Sequence, residues 1–131
     1  MIKAIIFDLD GVLVDACEWH YQALNEALKS VAGIEINLDE HRTTFNGLPT
    51  RKKLIKLTEE KGLPEEYHDK IWRMKQECTA DVIEDLIWPE DHVDIKNVIL
   101  NLKDDGYKIY CASNSIRSSL ELMLSCAGYI N

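Results

Sequence analysis

The stretch Asp8-Leu9-Asp10-Gly11-Val12-Leu13-Val14-Asp15, directly after the apolar run Ala4-Ile5-Ile6-Phe7, constrains this chain more than any other feature. A short run that is apolar on both faces reads as a central strand of a parallel sheet. Successive strand side chains point to opposite faces, so Asp8 and Asp10 are expected on one face with Leu9 on the other. Two close carboxylates repel unless a cation or a shared proton lies between them. Gly11 lets the chain turn just beyond them. The pattern predicts a carboxylate pair at the C-terminal edge of a parallel strand, where open α/β sheets bind ligands. An Asp carboxylate can attack phosphorus and form an aspartyl-phosphate. A second carboxylate can protonate the leaving oxygen and later deprotonate the attacking one. A hard divalent cation, Mg²⁺ above all, would hold a carboxylate and a phosphoryl oxygen together.

Beyond the first strand the periodicity changes. Residues 18 to 31 read as a helix, with Trp19, Ala23, Ala27 and Val31 recurring every four residues. Asn37 with Glu40 resembles a capping box that opens a short helix toward Phe45. Thr50 is a candidate cap for a third helix, closed by Gly62. Pro64 starts a long helix with Tyr67, Ile71, Cys78, Val82 and Leu86 on one stripe. Pro89 precedes another helix, ended by Gly106. Tyr107 to Ala112 reads as a second strand, then Ser113-Asn114-Ser115 leads into a last helix bearing Leu120, Met123 and Leu124. The expected class is α/β: a partial Rossmannoid parallel core from 1–15 and 87–131, with an all-helical cap inserted at 16–86. An insertion at a strand's C-terminal end is well placed to act as a lid.

Composition narrows the function classes. The chain has 131 residues and a formal net charge of −8, with no basic run. Nucleic acid and anionic membrane surfaces are therefore poor partners. No apolar run approaches the roughly 20 residues of a membrane span. Cys17, Cys78, Cys111 and Cys126 lack metal-ligand spacing and, with no secretory signal, are expected as reduced thiols in a cytoplasmic protein.

Ser113 closes the second strand, about 100 residues after the Asp pair. Its hydroxyl, the Asn114 amide and the following helix N-terminus can donate to phosphate oxygens. The bland alternative is an ordinary helix cap, with Ser115 at the N-cap. Arg51 can grip an anion bidentately, or can simply be an Arg in a first helical turn. His20 and Lys75 on helices are, by residue type alone, more often surface groups.

Ile5-Ile6-Phe7-Asp8-Leu9-Asp10-Gly11-Val12-Leu13-Val14-Asp15 resembles the first motif of the haloacid dehalogenase superfamily, and Ser113 with Asn114 its second. The resemblance implies that Asp8 is a nucleophile and Asp10 a general acid/base. It implies Mg²⁺ held by the Asp8 carboxylate and the Asp10 backbone carbonyl, and a transferring phosphoryl group held by Ser113. Asp15 and Glu18-Trp19-His20 are similar to the subgroup that includes β-phosphoglucomutases and sugar-phosphate phosphatases. There, residues at the places of His20, Gly47, Arg51 and Lys75 serve the hinge or read the substrate from the cap. Arg51 stands one residue farther from Gly47 than in the mutase pattern.

The resemblance runs to Asn131, whereas family members continue to a third motif with a Lys and a fourth with paired acidic residues. It therefore implies an incomplete Mg²⁺ site and an open sheet edge, covered by a second copy or another partner. The expected function is a Mg²⁺-dependent phosphatase acting on a small phosphorylated metabolite, or the N-terminal part of such an enzyme. A β-phosphoglucomutase-type isomerase and a non-catalytic binding protein are the alternatives.

Overall fold

The computed structural model describes residues 1–85 and 93–130, so the expectations for Leu86 and Pro89 lie outside the described residues. The chain divides into two compact units, Met1–Asp15 with Leu86–Asn131, and Ala16–Asp85.

In the first unit, β1 (Ala4–Asp8) pairs in parallel with β2 (Lys108–Ala112). The register aligns Ala4 with Lys108, Ile6 with Tyr110 and Asp8 with Ala112. Helix α5 (Val93–Asp104) packs on β2 and leaves Ile95, Ile99 and Leu102 half-buried, one stripe at helical spacing. Gly106 and Tyr107 donate backbone N–H groups to the Lys103 and Leu102 carbonyls, closing the helix and turning the chain into β2. Helix α6 (Arg117–Cys126) follows, with Met123 and Leu124 buried. The sheet differs from a fully covered parallel core. Ile5, Phe7, Ile109 and Cys111 are half-buried on one face, but Ile6 and Tyr110 on the other are 66% and 52% exposed. Among the described residues the sheet has two strands, which leave one apolar face largely uncovered.

The second unit is all helical: α1 (Cys17–Ala32), α2 (Leu38–Glu40), α3 (Thr50–Lys61) and α4 (His68–Asp85). A π-helical turn covers His41–Phe45, and a 3₁₀ turn covers Glu65–Tyr67. Its core joins Leu24 and Leu28 of α1, Ile36, Phe45, Leu54 and Leu57 of α3, Leu63, and Ile71 of α4. Buried Asn25 donates to the Ile36 carbonyl at 2.7 Å and accepts from the Ile36 N–H at 2.9 Å, so the connection after α1 is fully hydrogen-bonded where it enters the core. The Asn37–Glu40 capping box forms as the sequence predicts. At α3 the extended cap residue is Pro49, and Thr50 is already helical without a side-chain cap bond. No helix among the described residues is long and apolar enough to cross a membrane.

Candidate active site

The carboxylate pair sits where β1 gives way to a tight loop. Asp8 ends the strand, and its Oδ1 accepts the Leu9 N–H at 2.8 Å, which fixes the carboxylate's orientation. Leu9 is fully buried and anchors the loop. Its carbonyl accepts N–H groups from Val12, Leu13 and Val14 at 3.3, 2.9 and 3.1 Å. The Gly11 N–H donates to the Val14 carbonyl at 2.7 Å, and Gly11 takes φ +77°, a left-handed conformation that strains any residue with a Cβ. These bonds fold residues 9 to 14 into a closed turn, and a bridge between Asp10 and Val14 holds the second Asp at its mouth. The burial alternation of the strand carries past its end: Asp8 exposed, Leu9 buried, Asp10 half-buried.

The second strand brings the hydroxyl to this place. Asp8 is in register with Ala112, so Ser113 is the first residue beyond the pairing, at the same sheet end as Asp8. Ser113 Oγ accepts the Ser115 N–H at 3.0 Å. The hydroxyl therefore keeps its own proton for donation to a ligand oxygen. The N-cap of α6 is Ile116, in an extended conformation without a cap bond, one residue beyond Ser115. Asn114 is exposed beside it. Half-buried Cys111 senses both carboxylates: burial first, then the charges of Asp8 and Asp10, push its thiol above the ordinary range.

Mg²⁺ fits this donor set in part. Asp8 and Asp10 offer oxygen ligands on adjoining elements, the hard donors that Mg²⁺ takes, and the ion keeps several waters where protein ligands are few. Among the described residues no group of three or more His, Cys, Asp or Glu side chains is gathered to hold a metal.

In the helical unit, the structure brings two of the four predicted site residues together. His20 of α1 and Lys75 of α4 are 8% and 5% exposed, with Lys75 Nζ 3.4 Å from His20 Nδ1. Arg51 stands elsewhere: its guanidinium pairs with Asp69 at 2.5 Å and lies 5.0 Å over the Trp72 ring, half-exposed. Gly47 has φ +83° and open space around its missing Cβ, so the turn alone accounts for a glycine there.

Two buried basic residues escaped the sequence reading. Lys53 of α3 is 3% exposed, and His41 is fully buried. Lys53 stands four residues before buried Leu57, a helical spacing that could have revealed it. His41 carries no such signal. Its ring packs against Tyr21, with centroids 5.5 Å apart, and neither ring nitrogen makes a hydrogen bond of full geometry. Burial, and then the charge of Lys53, hold its pKa down to about 4; the Cys17 backbone pulls weakly the other way, and His20 and Lys75 add to the depression.

Comparison with known proteins agrees with this geometry. The model for the haloacid dehalogenase-like hydrolase family matches residues 5–131. A β-phosphoglucomutase structure from Clostridium difficile superposes with a TM-score of 0.78 at 26% identity, covering 98% of this chain and 57% of that one. A mutant of CbbY from Rhodobacter sphaeroides, solved with xylulose-1,5-bisphosphate, has a TM-score of 0.82 at 20% identity, covering 96% and 57%. The chain thus spans less than three-fifths of the length of either relative. It has the parallel α/β core and helical insertion of these proteins, and it belongs to the haloacid dehalogenase-like hydrolase family.

Proposed function

We propose that this chain carries the phosphoryl-transfer half-site of a Mg²⁺-dependent phosphatase acting on a small phosphorylated metabolite, with Asp8 as nucleophile. The observation that carries this reading is the β1–β2 register, which sets Ser113 at the same sheet end as Asp8. In the proposed reaction the Asp8 carboxylate attacks phosphorus, and the bond from phosphorus to the leaving oxygen breaks. Asp10 gives its proton to that oxygen. Asp10 then takes a proton from water, which attacks the aspartyl-phosphate and releases phosphate, restoring both carboxyl groups. The Leu9 N–H, bonded to Asp8 Oδ1, directs the other carboxylate oxygen toward attack. Ser113, accepting from Ser115 through its oxygen, donates its hydroxyl proton to a phosphoryl oxygen, and Asn114 supplies a further donor. Mg²⁺, when bound by the Asp8 carboxylate and the Asp10 carbonyl, would neutralise charge on the phosphoryl group.

The contact between His20 and Lys75 favours a second reading, a phosphomutase in which a sugar hydroxyl replaces water. These two are among the residues, with Asp15 and Gly47, by which the sequence resembles the β-phosphoglucomutase subgroup, and one similar structure is a β-phosphoglucomutase. Turnover of an aryl phosphate with Mg²⁺ tests the phosphatase reading. Asp8→Asn should abolish release of phosphate and Ser113→Ala should lower it by about 10²-fold, with circular dichroism unchanged. Unchanged release by folded Asp8→Asn would refute it.

A further inference from the structure

The end of α6 fixes where Tyr129 goes. The Gly128 N–H donates to the Ser125 carbonyl at 3.0 Å and the Tyr129 N–H to the Leu124 carbonyl at 2.8 Å, the paired bonds that close a helix on a left-handed glycine. Gly128 takes φ +79°, and a Cβ there would stand 2.7 Å from Lys96 Nζ. The ammonium group of Lys96, on α5, lies 5.8 Å over the Tyr129 ring. Two helices thus hold the backbone and the ring. Burial pushes the phenol's pKa up, so at neutral pH it remains a donor. Its Oη donates to the Leu13 carbonyl at 2.9 Å.

That carbonyl lies on the far limb of the turn that carries Asp10. Leu13 and Val14 are both buried. Val14 forms a bridge with Asp10, and its carbonyl accepts the Gly11 N–H at 2.7 Å. The hold on Leu13 is therefore passed through one peptide unit to the segment of Asp10. Asp8 is placed by other means: it ends β1 in register with Ala112, and its Oδ1 accepts the Leu9 N–H. All of these residues belong to one compact unit.

We propose that Tyr129 is a positioning residue for Asp10, holding the turn so that this carboxyl group meets the leaving oxygen and the attacking water, while Asp8 keeps its place without it. The inference rests on the phosphatase reading of Asp8 and Asp10. The two chemical steps separate the two carboxyl groups. With acetyl phosphate as donor, Asp8 attacks phosphorus, the bond to the acetate oxygen breaks, and acetate leaves as a stable anion that needs no proton. In the second step water attacks the phosphorus of the aspartyl-phosphate, its proton passes to Asp10, and the bond to the Asp8 oxygen breaks. Loosening Asp10 alone slows the second step and spares the first.

The test incubates the full chain with acetyl phosphate and Mg²⁺, follows the gain of phosphoryl mass, then removes the donor and follows its loss. Tyr129→Phe should gain the label at a rate within about threefold of the unmodified chain, because that step draws no proton from Asp10. It should lose the label about tenfold more slowly, within the range that a misplaced group costs. The variant therefore accumulates more phosphorylated chain, whereas a merely destabilised unit would accumulate less. Asp10→Asn should slow the loss by about 10²-fold or more, and adding Tyr129→Phe to it should change the loss by less than about twofold, since the partner through which Tyr129 acts is gone. Equal slowing of both steps in Tyr129→Phe, an unchanged loss, or a full further effect in the Asp10→Asn background would each overturn the proposal while leaving the nucleophile at Asp8 standing. No label on the unmodified chain would overturn the phosphatase reading and this inference with it.

Discussion

Tyr129 Oη donates to the Leu13 carbonyl at 2.9 Å, tying the segment after α6 to the turn that carries Asp10. The two residues are 116 apart in sequence, so this bond couples the end of the described chain to the candidate site. Tyr129→Phe should cost about 1 kcal/mol in urea unfolding, the net worth of a half-buried hydrogen bond. Amide exchange at Leu13 and Val14 should speed up more than exchange in β2. Equal acceleration throughout the unit would show that the bond has no particular hold on the turn.

His41 gives the helical unit a defined acid sensitivity. Its folded pKa of about 4 lies below the ordinary 6.5, so between those values the unfolded chain binds the extra proton. Stability from this group is full above about pH 6.5 and falls as pH drops toward 4, by roughly 1–3 kcal/mol in all. The charge of Lys53, then of His20 and Lys75, deepens the effect. His41→Phe should flatten the slope of stability against pH across this window, whatever it does to the absolute value. An unchanged slope would place the acid sensitivity on other groups.

The turn after β1 was legible because its chemistry is local. An apolar run, two carboxylates and a glycine leave few conformations, and the bonds to the Leu9 carbonyl adopt one of them. Helix starts were less so. Pro49 and Ile116 occupy the cap positions where Thr50 and Ser115 were expected, because extended backbone, rather than side-chain type, decided the boundary. Lys53 went unread because a lysine in a charged run is taken as solvated, and only tertiary burial shows otherwise. Arg51 looked equally suited to an anion until Asp69, 18 residues on, was seen beside it.

Metal affinity should be weak. Asp8 and Asp10 supply a minority of an octahedral sphere, and water must fill the rest. Calorimetry on the chain should give a dissociation constant of about millimolar or weaker for Mg²⁺. Micromolar binding would require ligands beyond this pair.

The open sheet face should drive association. Ile6 and Tyr110 are register partners on that face, with Met1 and Ile2 also exposed. Among the described residues β1 has one ladder partner, so a row of its backbone groups is unpaired. Light scattering at roughly tens of micromolar should find a dimer or larger species, and Ile6→Thr should shift it toward monomer. A monodisperse, cooperatively unfolding monomer would contradict this.

The central claim is that Asp8 accepts a phosphoryl group. Intact-mass analysis after incubation with acetyl phosphate and Mg²⁺, quenched in acid, tests it most directly. The account predicts a gain of one phosphoryl mass, carried by the peptide containing Asp8, reversed by hydroxylamine and absent from folded Asp8→Asn. The same mass gain in Asp8→Asn, or a label on any other residue, would contradict it.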